Sequence, residues 1–405
     1  MYQRMDDEEQ LGMPSKAVHA GEMHDPSGAH IDPIHMTSTY VFEDSEAIRA
    51  WGAGEVDARV YSRVGHPNRE ALSKKLAALE GYGMEDKVEA EIFSSGMGAV
   101  TAAIMGLAGA GDHLVAQSVL YGTTNHLVTQ ILPKYQITSS RVPLLNAEGL
   151  EQELGANPNT KIVYLETPAN PTMSVIDIRE TVRIAHAHGA SVVVDNTFAT
   201  PVLQRPLSMG ADVVIHSTTK FINGHGTVIG GALASRHPDF IEEGGGALLR
   251  YMGAVPSALD CWLTSIGLKT LPLRMREHCS NARALASFLE SSDKVGRTYW
   301  PGLPSHPQHE VATKQMDDFG AMITIDLGDA ISACRFMDAL QMSSLAVSLG
   351  NVDTLVQHPT SMTHRLMTEE DRLAVGITPG MIRISVGIES PEDIISDFER
   401  ALEQV

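Results

Sequence analysis

The sequence is poor in cysteine and in basic side chains. Its 405 residues include three cysteines, Cys261, Cys279 and Cys334, and no two of them form a Cys-x-x-Cys pair. A zinc site and a disulfide framework are therefore unsupported, and we expect reduced thiols. Lysine and arginine together number 30 against 50 aspartates and glutamates, which gives a formal net charge of −20. Because such a surface repels phosphate groups, we expect no nucleic-acid or membrane partner.

Long apolar runs are also missing. No stretch is long enough to span a bilayer, and the acidic residues 1–10 lack the apolar core of a signal peptide. Together with the unpaired thiols, these absences predict a cytoplasmic protein. His225, His358 and His364 do not have the His-x-x-x-His spacing of helical metal ligands, so we predict no metal site.

The chain divides into three regions by its residue patterns. Residues 1–67 are rich in Gly, Pro, His and Asp, which is typical of an N-terminal arm, and we expect this arm to contact a neighbouring subunit. Residues 68–268 alternate helical patterns with short runs rich in valine and isoleucine, and residues 269–405 contain a second such set. Because runs that are apolar on both faces indicate buried parallel strands, we predict an α/β fold with a mostly parallel sheet in the larger domain and a smaller C-terminal α/β domain.

Polar side chains follow three of the predicted strands, at residues 161–166, 191–195 and 212–216. The first run ends in Glu166, the second in Asp195, and the third leads through hydroxyl residues to Lys220. Ligands of open α/β sheets bind beyond the carboxyl ends of the strands. We therefore expect two carboxylates and a lysine at one edge of the sheet.

A lysine in this position suits a Schiff base with an aldehyde cofactor. Burial lowers the pKa of a lysine and frees its lone pair for attack on a carbonyl carbon. Asp195, on an adjacent predicted strand, can pair with a protonated pyridine nitrogen, and this pairing keeps pyridoxal 5′-phosphate (PLP) an electron sink. The residues thus point to PLP bound at Lys220.

A phosphate site is predicted near Ser95 and Gly96. Residues 94–98 open a helical pattern that continues to Leu107. The start of a helix presents free N–H groups, and glycine lets a phosphate approach the backbone. The hydroxyls of Ser217 and Thr219 can add hydrogen bonds.

Motifs along nearly the whole chain resemble those of the Cys/Met-metabolism PLP enzymes, the group of cystathionine γ-lyase and methionine γ-lyase. The motifs are Tyr-Ser-Arg at 61–63, Ser-Gly-Met at 95–97, Tyr-Gly at 121–122, Glu-Thr-Pro-Ala-Asn-Pro at 166–171, Asp-Asn-Thr at 195–197, His-Ser-Thr-Thr-Lys at 216–220, Ser-Leu-Gly at 348–350, His-Pro-Thr-Ser-Met-Thr-His at 358–364 and Ile-Arg-Ile-Ser-Val-Gly at 382–387.

The resemblance implies a role for each matching residue. It makes Lys220 and Tyr121 the catalytic residues, with Tyr121 stacked on the PLP ring and Asp195 paired with its nitrogen. The residues implied for the phosphate are Gly96, Met97, Ser217 and Thr219, with Tyr61 and Arg63 reaching the phosphate of a neighbouring subunit. The residues implied for the substrate carboxylate are Arg383, Ser348 and Asn170.

The resemblance also implies an overall architecture and an assembly. The fold would be PLP fold type I, the fold of aspartate aminotransferase. If Tyr61 and Arg63 serve the next subunit, the active site exists only in a homo-oligomer, at least a dimer and usually a tetramer built of two such dimers.

We expect a small amino acid as substrate, and three positions help to predict what kind of side chain it carries. Relatives that bind cystathionine tend to carry charges where this chain has Val60, His126 and Val347. Because an uncharged pocket leaves a second amino-acid head unpaired, these residues favour a small apolar tail. The segment from Val347 is similar to methionine γ-lyases, whereas Thr123 replaces the cysteine that those enzymes usually have.

We therefore predict γ-elimination on a sulfur amino acid, with L-methionine first, and keep two enzymatic alternatives. One is a cystathionine γ-lyase. The other is γ-replacement on an O-acylhomoserine, as in a cystathionine γ-synthase or a sulfhydrylase. A non-enzymatic binding role is disfavoured, because Lys220, Asp195 and Arg383 are all present.

Overall fold

The computed structural model describes residues 11–23, 25–143, 146–365 and 367–405. Its α-helices are α1 (Met13–His19), α2 (Ser45–Gly52), α3 (Pro67–Glu80), α4 (Gly96–Leu107), α5 (Gly122–His126), α6 (Ala147–Ala156), α7 (Ile178–Ala187), α8 (Thr200–Leu203), α9 (Pro238–Glu242), α10 (Gly245–Met252), α11 (Ala258–Lys269), α12 (Leu271–Ser291), α13 (His309–Gln315), α14 (Ala330–Ala339), α15 (Glu369–Ala374) and α16 (Pro391–Leu402). Its strands are β1 (Glu89–Phe93), β2 (His113–Gln117), β3 (Thr138–Val142), β4 (Thr160–Glu166), β5 (Ser191–Asp195), β6 (Val213–His216), β7 (Gly231–Ser235), β8 (Arg297–Tyr299), β9 (Met322–Asp326), β10 (Ser344–Leu345), β11 (Leu355–Gln357) and β12 (Met381–Ser385).

The larger sheet has seven strands in the order β1-β7-β6-β5-β4-β2-β3. The five strands from β6 to β3 are parallel, and β7 pairs antiparallel with both β6 and β1. The runs predicted as strands at 112–116, 161–166, 191–195 and 212–216 form β2, β4, β5 and β6, with ends within one residue of those predicted. Their side chains are buried on both faces, as expected for a sheet covered by helices on each side.

The smaller sheet has five strands in the order β10-β11-β12-β9-β8. Only the β10–β11 pair is parallel, and the other three pairs are antiparallel. The predicted strands at 321–327 and 381–386 are present as β9 and β12. The predicted boundary at residue 268 falls at the end of α11, and the division into domains stays a prediction.

One apolar cluster packs against both sheets. It contains Val214 of β6 and Ile384 of β12, together with Leu72 of α3 and Leu285 of α12. Because these buried side chains interlock, the smaller sheet is held in a fixed position against the larger one. This packing brings β12 toward the carboxyl ends of the parallel strands.

The helix that begins at the predicted phosphate site has a clear start signal. Ser95 precedes α4 in extended conformation, and its Oγ accepts a hydrogen bond from the Gly98 amide at 3.0 Å. This serine cap fixes the first turn of α4 directly after β1. Within the described residues, no helix is both long and apolar enough to cross a membrane.

Candidate active site

A cavity of about 350 Å³ opens where β4, β5 and β6 end. Glu166 and Asp195 are the last residues of β4 and β5, and Ser217 directly follows β6. The predicted residues that line the cavity are Gly96, Met97, Tyr121, Asn170, Asp195, Ser217, Thr219, Lys220, Val347, Ser348 and Arg383. The structure thus brings together residues that lie as far apart as 96 and 383 in the sequence.

Lys220 reaches the cavity from the turn that follows β6. Its Nζ donates a hydrogen bond to Ser348 Oγ at 2.9 Å. Burial, and secondly the nearby Arg383 guanidinium, lower the pKa of Lys220 to about 8. A lysine with this pKa has a substantial neutral fraction near physiological pH, and the neutral amine is the form that attacks a carbonyl carbon.

Arg383 lies in the middle of β12 and is 3% exposed. Its Nη1 donates to Asn170 Oδ1 at 2.9 Å and its Nη2 donates to the Ser348 carbonyl, while its Nε is buried without a hydrogen-bond partner. Burial lowers the pKa of Arg383 to about 9. A buried guanidinium with a free N–H attracts an anion, and its planar fork suits a carboxylate.

Ser348 joins the lysine and the arginine. Its hydroxyl accepts from Lys220 and its carbonyl accepts from Arg383, and its φ of 97° is rare for a residue with a side chain. Backbone conformations of this kind persist only where the surrounding contacts impose them, and they cluster at functional sites.

Two carboxylates lie side by side on the cavity floor. Glu166 and Asp195 are register partners on the parallel strands β4 and β5. Asp195 Oδ1 accepts from the Thr197 amide at 3.0 Å and from the Thr197 hydroxyl at 2.5 Å. Burial raises the pKa of Asp195, and burial together with the charge of Asp195 raises the pKa of Glu166 well above its usual range. A cationic group above Asp195 would restore its charge, as a protonated pyridine nitrogen does.

The backbone approaches closely at the start of α4. A Cβ added to Gly231 would lie 2.2 Å from the Ser95 carbonyl oxygen, and one added to Gly96 would lie 3.0 Å from Ser217 Cβ. The first amides of α4 have no acceptor within the helix and face the same end of the cavity as Ser217. Glycines and free amides at a helix start form a cradle for a phosphate group.

The donor set fits PLP. The cavity offers a lysine amine for the aldehyde, a carboxylate for the ring nitrogen, an amide cradle for the phosphate and the Tyr121 ring, which is 42% exposed, for stacking. Groups of three or more His, Cys, Asp or Glu side chains that could hold a metal ion do not occur among residues 11–23, 25–143, 146–365 and 367–405.

Four predicted residues lie away from the cavity lining of this chain. Tyr61 is 44% exposed, and Arg63 stacks against the Tyr61 ring and donates from Nη1 to the Arg250 carbonyl at 2.7 Å. Val60 precedes them on the same segment, and His126 is exposed at the end of α5. A single subunit therefore does not bring these residues to Lys220.

Several lining residues were not assigned a role from the sequence. They include Ser95, Thr124, Glu166, Thr197, Phe198, Ile229 and Thr363. Glu166 was expected at this edge of the sheet but was given no role, and Thr197 could have been found from its place just beyond the end of β5. Ile229 and Thr363 lie in loops, where no periodicity marks the residues that face a cavity.

Comparisons with known proteins agree with this geometry. Residues 14–403 match the model of a family described as Cys/Met metabolism PLP-dependent enzyme. The chain is 44% identical over 397 residues to an L-methionine γ-lyase of Porphyromonas gingivalis, covering 97% of this chain and 98% of that protein. It is 41% identical over 391 residues to a cystathionine β-lyase of Lactococcus lactis, covering 96% of this chain and 98% of that protein.

A solved structure gives the same result for the fold. The cystathionine γ-synthase of Xanthomonas oryzae pv. oryzae superposes with a TM-score of 0.90 at 38% identity, covering 97% of this chain and 98% of that one. The predicted fold type I is confirmed by this match. With the family model matched across almost the entire chain, and with a cavity that fits PLP, the chain belongs to the family of Cys/Met metabolism PLP-dependent enzymes.

Proposed function

We propose that this enzyme eliminates the γ-substituent of L-methionine and releases methanethiol, 2-oxobutyrate and ammonia with uptake of one water. The observation that carries the proposal is the apolar outer wall of the cavity. Val347 and Ile229, which are 57% and 70% exposed, line it, whereas the acidic and basic lining residues of the described chain, Glu166, Asp195, Lys220 and Arg383, are buried or half-buried. An uncharged thioether loses little hydration free energy when it packs against such a wall. A second amino-acid head would lose its hydration there without gaining a charged partner.

The residues divide the work of this reaction. Arg383 binds the substrate carboxylate through its fork, and Asn170, which accepts from Arg383 Nη1, fixes the orientation of that fork. Lys220 Nζ takes the proton from Cα and moves protons between the carbons, for which a pKa of about 8 is suitable. Ser348 Oγ holds the amine in place. When bound, PLP supplies the electron sink that stabilises the negative charge left on carbon.

The cofactor contacts are proposed on the same basis. Asp195 would pair with the ring nitrogen, Tyr121 would stack on the ring, and Gly96, Met97, Ser217 and Thr219 would hold the phosphate. Support comes from their common place in the lining of one cavity, which also includes Lys220.

We further propose a cytoplasmic homo-oligomer in which Tyr61 and Arg63 complete the site of a neighbouring subunit. The two side chains are exposed and lie outside the cavity lining of their own chain, which supports this assignment. Pairs of such dimers would form a tetramer. The three cysteines are all unpaired, as is usual in a reducing compartment.

A second candidate is γ-replacement on an O-acylhomoserine. It is favoured by the similarity to the cystathionine γ-synthase of Xanthomonas oryzae pv. oryzae and by a 40% identical O-succinylhomoserine sulfhydrylase of Pseudomonas aeruginosa. Cystathionine γ-elimination is the third candidate, and the uncharged Val347 counts against it.

Product analysis separates these candidates. Purified, PLP-loaded protein is incubated with L-methionine, L-cystathionine or O-acetylhomoserine, each with and without added thiol. We expect methanethiol and 2-oxobutyrate from methionine without thiol. Product that forms only from O-acetylhomoserine with thiol would replace the proposal by γ-replacement, and a strong preference for cystathionine would replace it by the third candidate.

A further inference from the structure

Helix α5, which begins directly after Tyr121, is held by polar contacts from strands of the larger sheet. The Tyr121 amide donates to Glu166 Oε2 at 2.8 Å. The Asn125 amide closes the first turn on the Tyr121 carbonyl at 2.8 Å, and Asn125 Oδ1 accepts from Arg141 Nη2 at 2.9 Å. One short helix is thus anchored from β4 at its start and from β3 near its end.

Arg141 reaches α5 from the edge strand of the larger sheet. It is half-buried on β3, and its Nη1 is buried without a hydrogen-bond partner. In the ladder, Ala116 of β2 is the register partner of both Arg141 and Tyr164. On this face of the sheet only the small Ala116 side chain lies between Arg141 and Tyr164. The Arg141 guanidinium can therefore extend across β2 toward Tyr164 and Glu166, whose side chains lie on the same face of β4.

The charges around Arg141 explain why a cation is tolerated there. The ionisable groups that act on Arg141 are Glu166 and Tyr164, both on β4, while burial lowers the pKa of Arg141. Glu166 in turn is acted on by Asp195 and Arg141, and its Oε1 is buried without a partner. Two adjacent buried carboxyl groups disfavour each other's ionisation, and a buried cation offsets part of that effect.

We propose that Arg141 is a positioning residue that fixes the Tyr121 ring, through Asn125 at one end of α5 and, at the other, through Glu166, which accepts from the Tyr121 amide. Arg141 lies outside the cavity lining and acts only through these two neighbours. The inference rests on the proposed stacking role of Tyr121. It assigns a function to a charge that the proposed reaction does not itself use.

Three variants of the PLP-loaded protein distinguish the effect of Arg141 through Asn125 from its effect through Glu166. Arg141→Met removes both the charge and the hydrogen bond, Arg141→Lys keeps the charge and loses the fork, and Asn125→Ala breaks only the contact to α5. Arg183→Met is the control, because Arg183 is exposed on α7 and paired with Glu180. The readouts are the dissociation constant of PLP, the circular dichroism of the bound cofactor and the pH titration of its visible absorbance.

We expect Arg141→Met to weaken PLP binding about three- to tenfold, because the stacked Tyr121 ring is then held less firmly, and to reduce the circular dichroism of the bound cofactor. Loss of the cation should also move the absorbance titration to higher pH by roughly half a unit. Arg141→Lys should keep the wild-type titration with weaker PLP binding, and Asn125→Ala should behave like Arg141→Lys.

Unchanged PLP affinity and an unchanged titration in Arg141→Met would overturn the proposal, even if the melting temperature fell, because that result describes a merely structural arginine. A wild-type protein that does not bind PLP would instead overturn the proposed function itself. The two failures are therefore distinguishable without a substrate.

Discussion

Lys220 gains its reactivity from its surroundings. Burial and the Arg383 cation both disfavour the protonated amine and bring its pKa to about 8. Below that pH the amine is protonated and cannot attack the cofactor aldehyde, and above it the amine is neutral. The arginine proposed to bind the substrate carboxylate thus also lowers the pKa of the lysine.

The rate at which PLP recombines with cofactor-free protein should therefore rise with pH through a midpoint of about 8. Replacing Arg383 by Gln removes a cation, so the midpoint should rise by roughly half a unit, because the protonated amine is then disfavoured less. Stopped-flow absorbance across the pH range measures both curves. The exposed Arg276→Gln serves as control and should keep the wild-type midpoint; a midpoint that stays fixed in Arg383→Gln would argue against coupling of the two groups.

Val347 is 57% exposed and lines the outer wall of the cavity. We expect Val347→Glu to lower kcat/KM for methionine at least about tenfold, because the new carboxylate must be desolvated against an apolar thioether. The visible absorbance of the bound PLP should not change. Val347→Leu, which keeps the wall apolar, should stay within about threefold of wild type. Equal kinetics in the two variants would mean that the substrate tail lies elsewhere.

Roles of single residues could be predicted from the sequence where a strand end placed them. Asp195 ends one predicted buried strand and Lys220 follows another. The hydrophobic pattern and the length of these strands therefore placed both residues at one edge of the sheet. Val60 and His126 were predicted at the pocket but lie outside its lining in one chain, since no local pattern encodes how the irregular segment of Val60 or the short helix that ends at His126 packs. Arg141 could not have been found, because its contact to Asn125 follows from the register of β3 with β2.

At the scale of elements, α12 is tied to the turn that carries Lys220. Arg274 of α12 is 5% exposed, and its guanidinium donates to the carbonyls of Phe221, Ile222 and Gly267 at 2.7, 3.2 and 2.8 Å. Burial lowers the pKa of Arg274 to about 10. The turn after β6 therefore depends on a helix that begins at residue 271.

Replacing Arg274 by Met should lower the free energy of unfolding by about 3 kcal/mol or more, since buried carbonyls lose their donors. PLP should also bind more weakly, because residues 221 and 222 directly follow Lys220. Urea denaturation and PLP titration measure the two effects. Arg276→Met, two residues along the same helix and exposed, should change stability by no more than about 0.5 kcal/mol. If the two variants unfolded alike, Arg274 would not be the anchor of this turn.

The parallel strands β2, β4, β5 and β6 could be predicted at this scale, and so could β9 and β12 of the smaller sheet, whereas the remaining strands were harder. The runs that became β4 and β5 are buried on both faces and rich in valine, isoleucine and leucine, a pattern that indicates a parallel sheet. Strand β7, Gly-Ala-Leu-Ala-Ser, has little β propensity and is a strand because it pairs with β6 and β1. Strands β8, β10 and β11 have two or three residues, too few for a periodicity to be read.

For the whole molecule, the proposed sharing of sites predicts complementation between inactive subunits. Arg63→Ala and Lys220→Ala should each be almost inactive alone. After joint refolding in equal amounts, about a quarter of the sites should be intact, because half of the dimers are hybrids and each hybrid has one complete site. Activity per subunit, with each variant refolded alone as control, is the measurement. No recovery, in a mixture that forms hybrids by native mass spectrometry, would place Arg63 in the site of its own chain.

The cavity is assembled from segments that are far apart in the chain. Strand β1, at residues 89–93, pairs with β7 at 231–235, and Arg383 comes from the last strand, β12. During synthesis, β1 therefore emerges before its partner β7, and Arg383 is made well after Lys220. A ribosome-bound fragment can hold Lys220 without yet having the groups that lower its pKa. We therefore expect a fragment that has Lys220 but not yet Arg383 to keep this lysine more fully protonated, and less reactive toward free aldehydes, than the folded protein does.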